Sequence, residues 1–577
     1  VLKEYKRLFP YLKRYVWWYV FGLFFLVITD GGQLFMPQII KSAIDIISGG
    51  RFELSAVLQR AIMLAGVALA VAVGRFGWRF FLNGTSRRIE AELRDDLFRH
   101  LLTLSSSFYN RTKTGDLMAR ATNDMRAIRM ATGMAFVAFI DGLFMAAAIF
   151  TILFTQYTEL ALITIIPLPV IAILTLGMGK LIGERFRRVQ EGFSRLSEHV
   201  QETLSGIRVV KSFVQEKHVI GRFHAANMEY VGANMALVKI WGFFFPLIMF
   251  LSGVSALLLL RFGGVAVIER KLTPGDFVAV LAYLQMLRWP MAGIGFTVNM
   301  IQRGAASLGR INRILEEKPD ITSPPSPRTE VPAGDLVVQD LSYGYEDGDP
   351  ILKEINFVVP EGSTLGILGR TGSGKSTLVK LIPRLLDPPR GTITIAGRDV
   401  HEWDLHVLRS SIAMVPQDTF LFSAPIKENI AFGDPSLPEE TLSAAAEVST
   451  INRDLENFPS AWDTTVGERG ITLSGGQKQR VAISRAVAVN PQFMIFDDAL
   501  ASVDTETEER ILSRFLKLRA GRSNILISHR VSTLQAADRI IVLDNGRIVQ
   551  SGTHEELLEE EGFYREVYTI QQMEGNG

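Results

Sequence analysis

The sequence predicts two folds in series: an all-α polytopic membrane domain of six long helices, then an α/β domain built on a phosphate-binding loop. Three observations carry that expectation. Apolar residues fill 48% of the 577 positions, with a mean hydropathy of +0.20. The excess sits in residues 1–300, in stretches of roughly 20 residues, the length that crosses a ~30 Å hydrocarbon core as a helix. Residues 335–577 have the mixed composition of a soluble domain. Between the two, EEKPDITSPPSPRTEVPAGD (316–335) holds five prolines and no sustained period, the pattern of an extended, surface-exposed linker. The expected division is a membrane domain with cytoplasmic helical extensions over 1–315, a linker over 316–335 and a nucleotide-binding domain over 336–577.

Bulk composition excludes more than it assigns. Cysteine is absent, which removes disulfides and thiolate metal sites. A net charge of +1 gives no electrostatic footprint for nucleic acid, and none is expected as a partner.

Lys3, Lys6, Arg7, Lys13 and Arg14 precede the first apolar run and predict a basic helix at the cytoplasmic membrane surface. Six apolar segments follow, at about 15–40, 57–82, 134–155, 159–182, 240–262 and 276–300. The second-to-third and fourth-to-fifth connections are rich in Arg and Lys, whereas the third-to-fourth loop around TQYTE has no positive charge. The positive-inside rule therefore places both termini, both long connections and the nucleotide domain in the cytoplasm of a multi-pass protein of the cell (inner) membrane. The fifth-to-sixth loop, with Arg261, Arg270 and Lys271, is discordant.

From Val57 to Phe108 there is no proline, and apolar residues recur at helical spacing. About 50 residues at ~1.5 Å each make ~75 Å of helix, more than twice the bilayer core. Residues 183–235 repeat the pattern, so two helical hairpins are expected to project into the cytoplasm. Within the spans, Asp30, Asp141, Arg75, Arg79 and Arg288 are the notable ionisable residues. Such groups face a cavity or each other, so helix pairing and substrate contact are both open. Phe243, Phe244, Phe245, Met249, Met286 and Met300 add a soft apolar surface suited to varied hydrophobic cargo, with lipid-facing packing as the alternative.

The chemistry lies further on. STLGILGRTGSGKSTLV reads as strand, glycine turn and helix, and runs Gly369-Arg370-Thr371-Gly372-Ser373-Gly374-Lys375-Ser376-Thr377. Backbone N–H groups of such a turn cradle phosphates, Lys375 reaches the terminal phosphates and the Ser376 hydroxyl ligates Mg2+. ATP and Mg2+ are the expected cofactors. FMIFD reads as a buried parallel strand delivering Asp497 to the same Mg2+. Between these lies Leu473-Ser474-Gly475-Gly476-Gln477 before a helix, a second phosphate-binding element. One nucleotide has one triphosphate, so the second cradle implies a nucleotide held by another chain.

These motifs in this order resemble the ATP-binding cassette family, and the six preceding spans resemble an ABC exporter half-transporter of the multidrug or lipid type. The resemblance covers essentially the whole chain. It implies that Tyr345 stacks on adenine, that Gln417 senses Mg2+ and the attacking water, and that His529 contacts the γ-phosphate. It also implies that TTVGERG (464–470) contacts the membrane domain, and that Asp504 lies in a loop crossing the dimer interface. YNRTKTGDLMARATND (109–124) and the tip near Phe213–Val219 resemble the segments that dock on the cassettes.

One position departs. The family usually carries glutamate after the magnesium aspartate, and here stands Asp498, with a carboxylate set back ~1.3–1.5 Å. Misplacing a catalytic group by ~1 Å can cost about 10²-fold. Ala501-Ser502-Val503-Asp504 departs as well, where Ser-Ala-Leu-Asp is usual. The complete signature beside a shortened base implies the degenerate-site subunit of a heterodimeric bacterial exporter. The expectation is ATP-driven export of hydrophobic or amphipathic compounds, with a homologous half-transporter, the lipid bilayer and a hydrophobic small molecule as partners. The alternatives are a homodimeric lipid or peptide exporter and a non-transporting ATP-gated channel or regulator.

Overall fold

The long apolar stretches and the alternating α/β pattern fold as separate bodies. The computed structural model describes residues 2–49, 54–345, 348–467 and 473–575. It divides into two units: Val1–Thr103 with Thr112–Glu317, and Leu104–Arg111 with Lys318–Gly577.

The first unit is helical. Its main elements are α1 (Val16–Ser48), α2 (Leu54–Thr103), α3 (Thr114–Gln156), α4 (Pro167–Ser205), α5 (Glu216–Ile268), α6 (Pro274–Met286) and α7 (Arg288–Glu316). Short basic helices over residues 2–14 precede α1 and pack along α7, where the Tyr5 hydroxyl donates to Ile301 O at 2.9 Å. The chain from 54 to 103 runs as one 50-residue helix, as its unbroken spacing predicts.

Six long helices were the expectation. Among the described residues, four helices are long and apolar enough to cross a membrane: α1, α2, α3 and α5. The segment 159–182 is split between a helix over Thr158–Thr164 and α4, because Pro167 has no N–H to bond back to the carbonyl of Ile163 and instead starts a new helix. The segment 276–300 is split at Leu287 between α6 and α7, three residues ahead of Pro290. The side chains of Phe245 and Arg288 lie outside the described residues.

Small residues set the closest helix contact. A Cβ on Gly74 of α2 would sit 2.5 Å from Thr29 Oγ1 on α1, and one on Gly77 would sit 2.4 Å from the Phe25 ring. That is how apolar helices gain contact without a hydrophobic drive between them. Polar clusters tie the helices at two levels. Lys41 Nζ lies 2.5 Å from Asp276, which also accepts from the Tyr157 hydroxyl at 2.8 Å, joining α1, α6 and the end of α3. Asp124 of α3 accepts from Arg310 and Ser307 of α7.

The second unit holds two sheets. The smaller has strand order β2-β1-β4-β5, from β1 (Leu336–Tyr343), β2 (Leu352–Val359), β4 (Ile393–Ile395) and β5 (Arg398–Asp399), all antiparallel. The larger has order β10-β9-β3-β8-β7-β6. Its members are β3 (Thr364–Gly369), β6 (Ile412–Val415), β7 (Phe493–Asp497), β8 (Ser523–Ile527), β9 (Arg539–Asp544) and β10 (Arg547–Gly552). Five strands run parallel, and β10 pairs antiparallel to β9 at one edge. Every residue of β3, β7 and β8 is buried, as their continuous apolar runs require of strands covered on both faces.

The linker is extended as expected, but it is not free surface chain. Arg328 N donates to Glu402 O and Asp404 N donates to Arg328 O, each at 2.9 Å, while the Ser323 hydroxyl donates to Asp404 at 3.0 Å. Leu104–Arg111 belongs with this unit, where Ser105 and Ser107 donate to Asp320 at 2.8 and 2.6 Å.

Candidate functional site

Strand order brings the site together. β8 lies between β3 and β7, and all three run parallel, so their carboxyl ends deliver Gly369, His529 and Asp497–Asp498 to one edge of the sheet. Open α/β sheets bind ligands at that edge.

The phosphate loop leaves β3 at Gly369 and enters α8 (Lys375–Leu381). A Cβ at Gly369 would stand 2.3 Å from Leu543 O, so no other residue fits there. Gly372 and Gly374 adopt φ of +83° and +100°, a left-handed backbone that glycine enters at no steric cost. Lys375 Nζ donates to Gly369 O at 2.7 Å and to Arg370 O at 2.9 Å. Burial lowers its pKa, while the carboxylates of Asp498 and Asp497 pull it back up.

The Ser376 hydroxyl donates to Asp497 Oδ1 at 2.9 Å, across 121 residues of sequence. Burial raises the Asp497 pKa, and the Ser376 hydrogen bond opposes that rise. A hydroxyl and a carboxylate at this spacing are hard oxygen donors of the kind Mg2+ takes. The Ser373 hydroxyl is buried without a partner inside the loop, consistent with an acceptor group seated there. The residues present therefore fit a Mg2+-bound triphosphate.

Asp498 follows Asp497 with a left-handed φ of +51°. Its N–H donates to Ile527 O at 3.0 Å, locking this turn to the end of β8. Gln417 Nε2 lies 3.4 Å from Asp498 Oδ2, so two residues 81 apart meet at this edge. Tyr345 is exposed beyond β1, its hydroxyl 3.3 Å from that of Thr377. Arg370 of the phosphate loop lies over the Phe563 ring at 5.0 Å.

The signature segment builds differently. Leu473 is buried, and Gly475 opens α9 (Gly475–Val489). Ser474 caps that helix: its hydroxyl accepts from Gln477 N at 3.3 Å, and Ser474 N donates to Gln477 Oε1 at 3.0 Å. This reciprocal cap, worth ~1 kcal/mol, leaves the N–H groups of Gly475 and Gly476 at the positive end of the helix. Among the described residues, no hydrogen bond or ion pair joins this segment to the phosphate loop. Asp504 caps α10 (Thr505–Leu518), accepting from Thr507 N at 2.9 Å. In TTVGERG, Thr464 and Val466 are buried, and Glu468, Arg469 and Gly470 lie outside the described residues.

Sequence reading missed the supports. Asp454 accepts from Gln477 at 2.8 Å and from Arg480 at 2.7 Å, which steadies the signature helix. Gln571, in α11 (Phe563–Gly575), donates to His529 O at 2.7 Å and accepts from Val531 N at 2.9 Å. Arg530 donates to Val503 O and to Glu508, linking the His529 turn to the loop carrying Asp504. No local spacing announces these partners.

Comparison with known proteins agrees with this geometry. The family model for the ABC transporter transmembrane region matches residues 19–291, and the ABC transporter model matches 352–501. A probable multidrug resistance ABC transporter ATP-binding/permease protein, YheI of Bacillus subtilis (strain 168), is 38% identical over 98% of this chain and 97% of its own. The multidrug resistance-like ATP-binding protein MdlA of Escherichia coli (strain K12) is 36% identical over 99% and 97%. An ATP-dependent lipid A-core flippase of Desulfotalea psychrophila is 33% identical over 88% and 89%. Among solved structures, a bacterial Atm1-family ABC exporter with ATP bound matches with a TM-score of 0.78 and 28% identity, over 97% of this chain and 99% of that one.

Proposed function

The chain belongs to the ABC transporters, an exporter carrying membrane-spanning helices and an ATPase, and from that premise we propose that it is one half of a heterodimeric exporter of hydrophobic or amphipathic compounds. The observation that carries this reading is the contrast between Asp498 and the Ser474 cap. Asp498 is one methylene shorter than the glutamate that polarises water in the family, and the Asp498 N–H···Ile527 O bond restrains the backbone shift that would make up the distance. The signature helix is complete and pre-set.

In this reading Lys375, Ser376 and Asp497 hold Mg2+ and the phosphates, and Tyr345 lies against the base. Mg2+ neutralises charge on the phosphate oxygens when bound. Gln417 and Asp498 orient water poorly for attack, so ATP is retained at this site. Ser474, Gly475 and Gly476 complete the partner's site, where a full-length glutamate does the work. The membrane part (1–315) crosses six times, the broken segments at 159–182 and 276–300 each counting as one crossing. Residues 316–335 link it to a cytoplasmic cassette (336–577) in a cell-membrane protein. The multidrug and lipid labels of the relatives support a hydrophobic cargo.

The test is co-purification with the product of the neighbouring gene, followed by ATPase assays of each chain alone and together. The proposal expects low turnover from this chain alone and high turnover from the pair. Full turnover by this chain alone would instead establish the homodimer.

A further inference from the structure

Ahead of the first span the chain forms a basic cavity that neither the ATP site nor the export reading uses. It holds about 370 Å³ and lies between the short helices over residues 2–14 and the end of α7. On α7, Gly309, Asn312, Arg313 and Glu316 line it, spaced so that they share one face of the helix. The missing side chain at Gly309 lets the facing helix close in: a Cβ there would stand 3.2 Å from Glu4 Oε2. Asn312 Nδ2 then donates to Glu4 O and to Glu4 Oε2, each at 3.3 Å. The second acid, Glu316, faces Arg7 at 3.7 Å, and Arg7 donates to Leu315 O at 3.3 Å. That bond sets a cation on the carboxyl end of α7, whose dipole would otherwise repel an anion.

Both acids of the cavity are thereby engaged, and three cations are left over. Among the described residues the side chains of Lys3, Lys6 and Arg313 make no ion pair or hydrogen bond, and all three are exposed at the cavity. Like charges gathered in one cavity repel unless an anion comes between them. The surroundings say which anion. Phe9 and Trp17, on either side of Lys13 and Arg14, are 66% and 68% exposed. Uncovered aromatic groups interleaved with cations mark a segment that lies in the headgroup layer of a bilayer. The anion abundant at that depth is the phosphodiester of a lipid.

We propose that this cavity is a headgroup site for an anionic phospholipid, its phosphodiester seated among Lys3, Lys6 and Arg313. A lipid held there ties the basic helices to the end of α7. The assignment rests on the membrane placement of the first unit, and not on the cargo or the partner chain proposed above.

The experiment titrates the purified transporter in detergent with lipid, without ATP, and follows bound lipid by native mass spectrometry. It therefore stands apart from transport and hydrolysis. The probes are dioleoylphosphatidylglycerol, which is anionic, and dioleoylphosphatidylcholine, a zwitterionic lipid with the same chains. The wild type binds the anionic lipid at least about tenfold more tightly. In Lys6→Gln and in Arg313→Gln the Kd for phosphatidylglycerol rises about fivefold, and in the double variant about twenty-five-fold, while that for phosphatidylcholine stays unchanged. Both side chains are exposed and unpaired, so these substitutions leave the fold intact. Lys13→Gln removes a cation of the same basic segment outside the cavity, and keeps the Kd within about twofold of wild type. The proposal is overturned if the two lipids bind alike, if neither cavity variant weakens binding, or if Lys13→Gln weakens it as much as they do. Displacement of the lipid by excess inorganic phosphate would also overturn it, and would make the cavity a free-phosphate site.

Discussion

At the carboxyl ends of β3 and β7 the chain sets out a phosphate loop, the Ser376–Asp497 pair and then Asp498, one methylene shorter than a glutamate; at the start of α9 it sets out a signature helix capped and braced by its neighbours. The first region shows Ser376 and Asp497 joined at 2.9 Å, yet Gln417 meets Asp498 only at 3.4 Å. The second shows a reciprocal cap, an Asp454 brace to both Gln477 and Arg480, and a buried Leu473. On the proposed reading, the difference separates binding from hydrolysis: one region would hold a nucleotide, and the other would help a partner hydrolyse one.

The largest effect that would sharpen the comparison is expected from Lys375→Ala, which removes the one buried cation of the phosphate loop. Photolabelling of this chain by 8-azido-ATP should fall about 10²-fold in affinity, and unchanged labelling would remove the phosphate loop from the account. Ser474→Ala acts on the other region. It should lower turnover of the complex about 10²-fold, and cost the helix ~1 kcal/mol, seen as a small drop in Tm. Restoring reach with Asp498→Glu should raise hydrolysis at this site about tenfold, measured as release of pre-bound radiolabelled nucleotide as ADP. No gain would mean that the carboxylate's length is not what limits the site. Gln571→Ala should have the smallest effect. It frees the carbonyl of His529 and should shorten ATP retention by only about two- to fivefold.

How legible each region is in the sequence follows from how local its parts are. The phosphate loop, LSGGQ and the Asp497–Asp498 pair are runs of adjacent residues whose chemistry is set by backbone direction, and they stand at the expected strand and helix ends. The order β3, β8, β7 that brings the phosphate loop to the Asp497–Asp498 pair is not local, nor is the brace from Gln571 to a turn 42 residues earlier. Hydrophobic length alone overcounted the continuous spans: an apolar run reads the same whether its helix is whole or broken, and only Pro167 and Pro290 mark the breaks. The linker shows the converse. Its prolines predict extension, but not the backbone bonds from Arg328 to Glu402 and Asp404, which depend on a surface far along the chain.

The division of labour between the two regions is tested most directly by steady-state ATPase activity of the purified complex carrying either Asp498→Ala or Ser474→Ala. The account predicts turnover within about twofold of wild type for Asp498→Ala and a loss of about 10²-fold for Ser474→Ala. Loss of activity with Asp498→Ala would contradict it and make this chain's own site the working one.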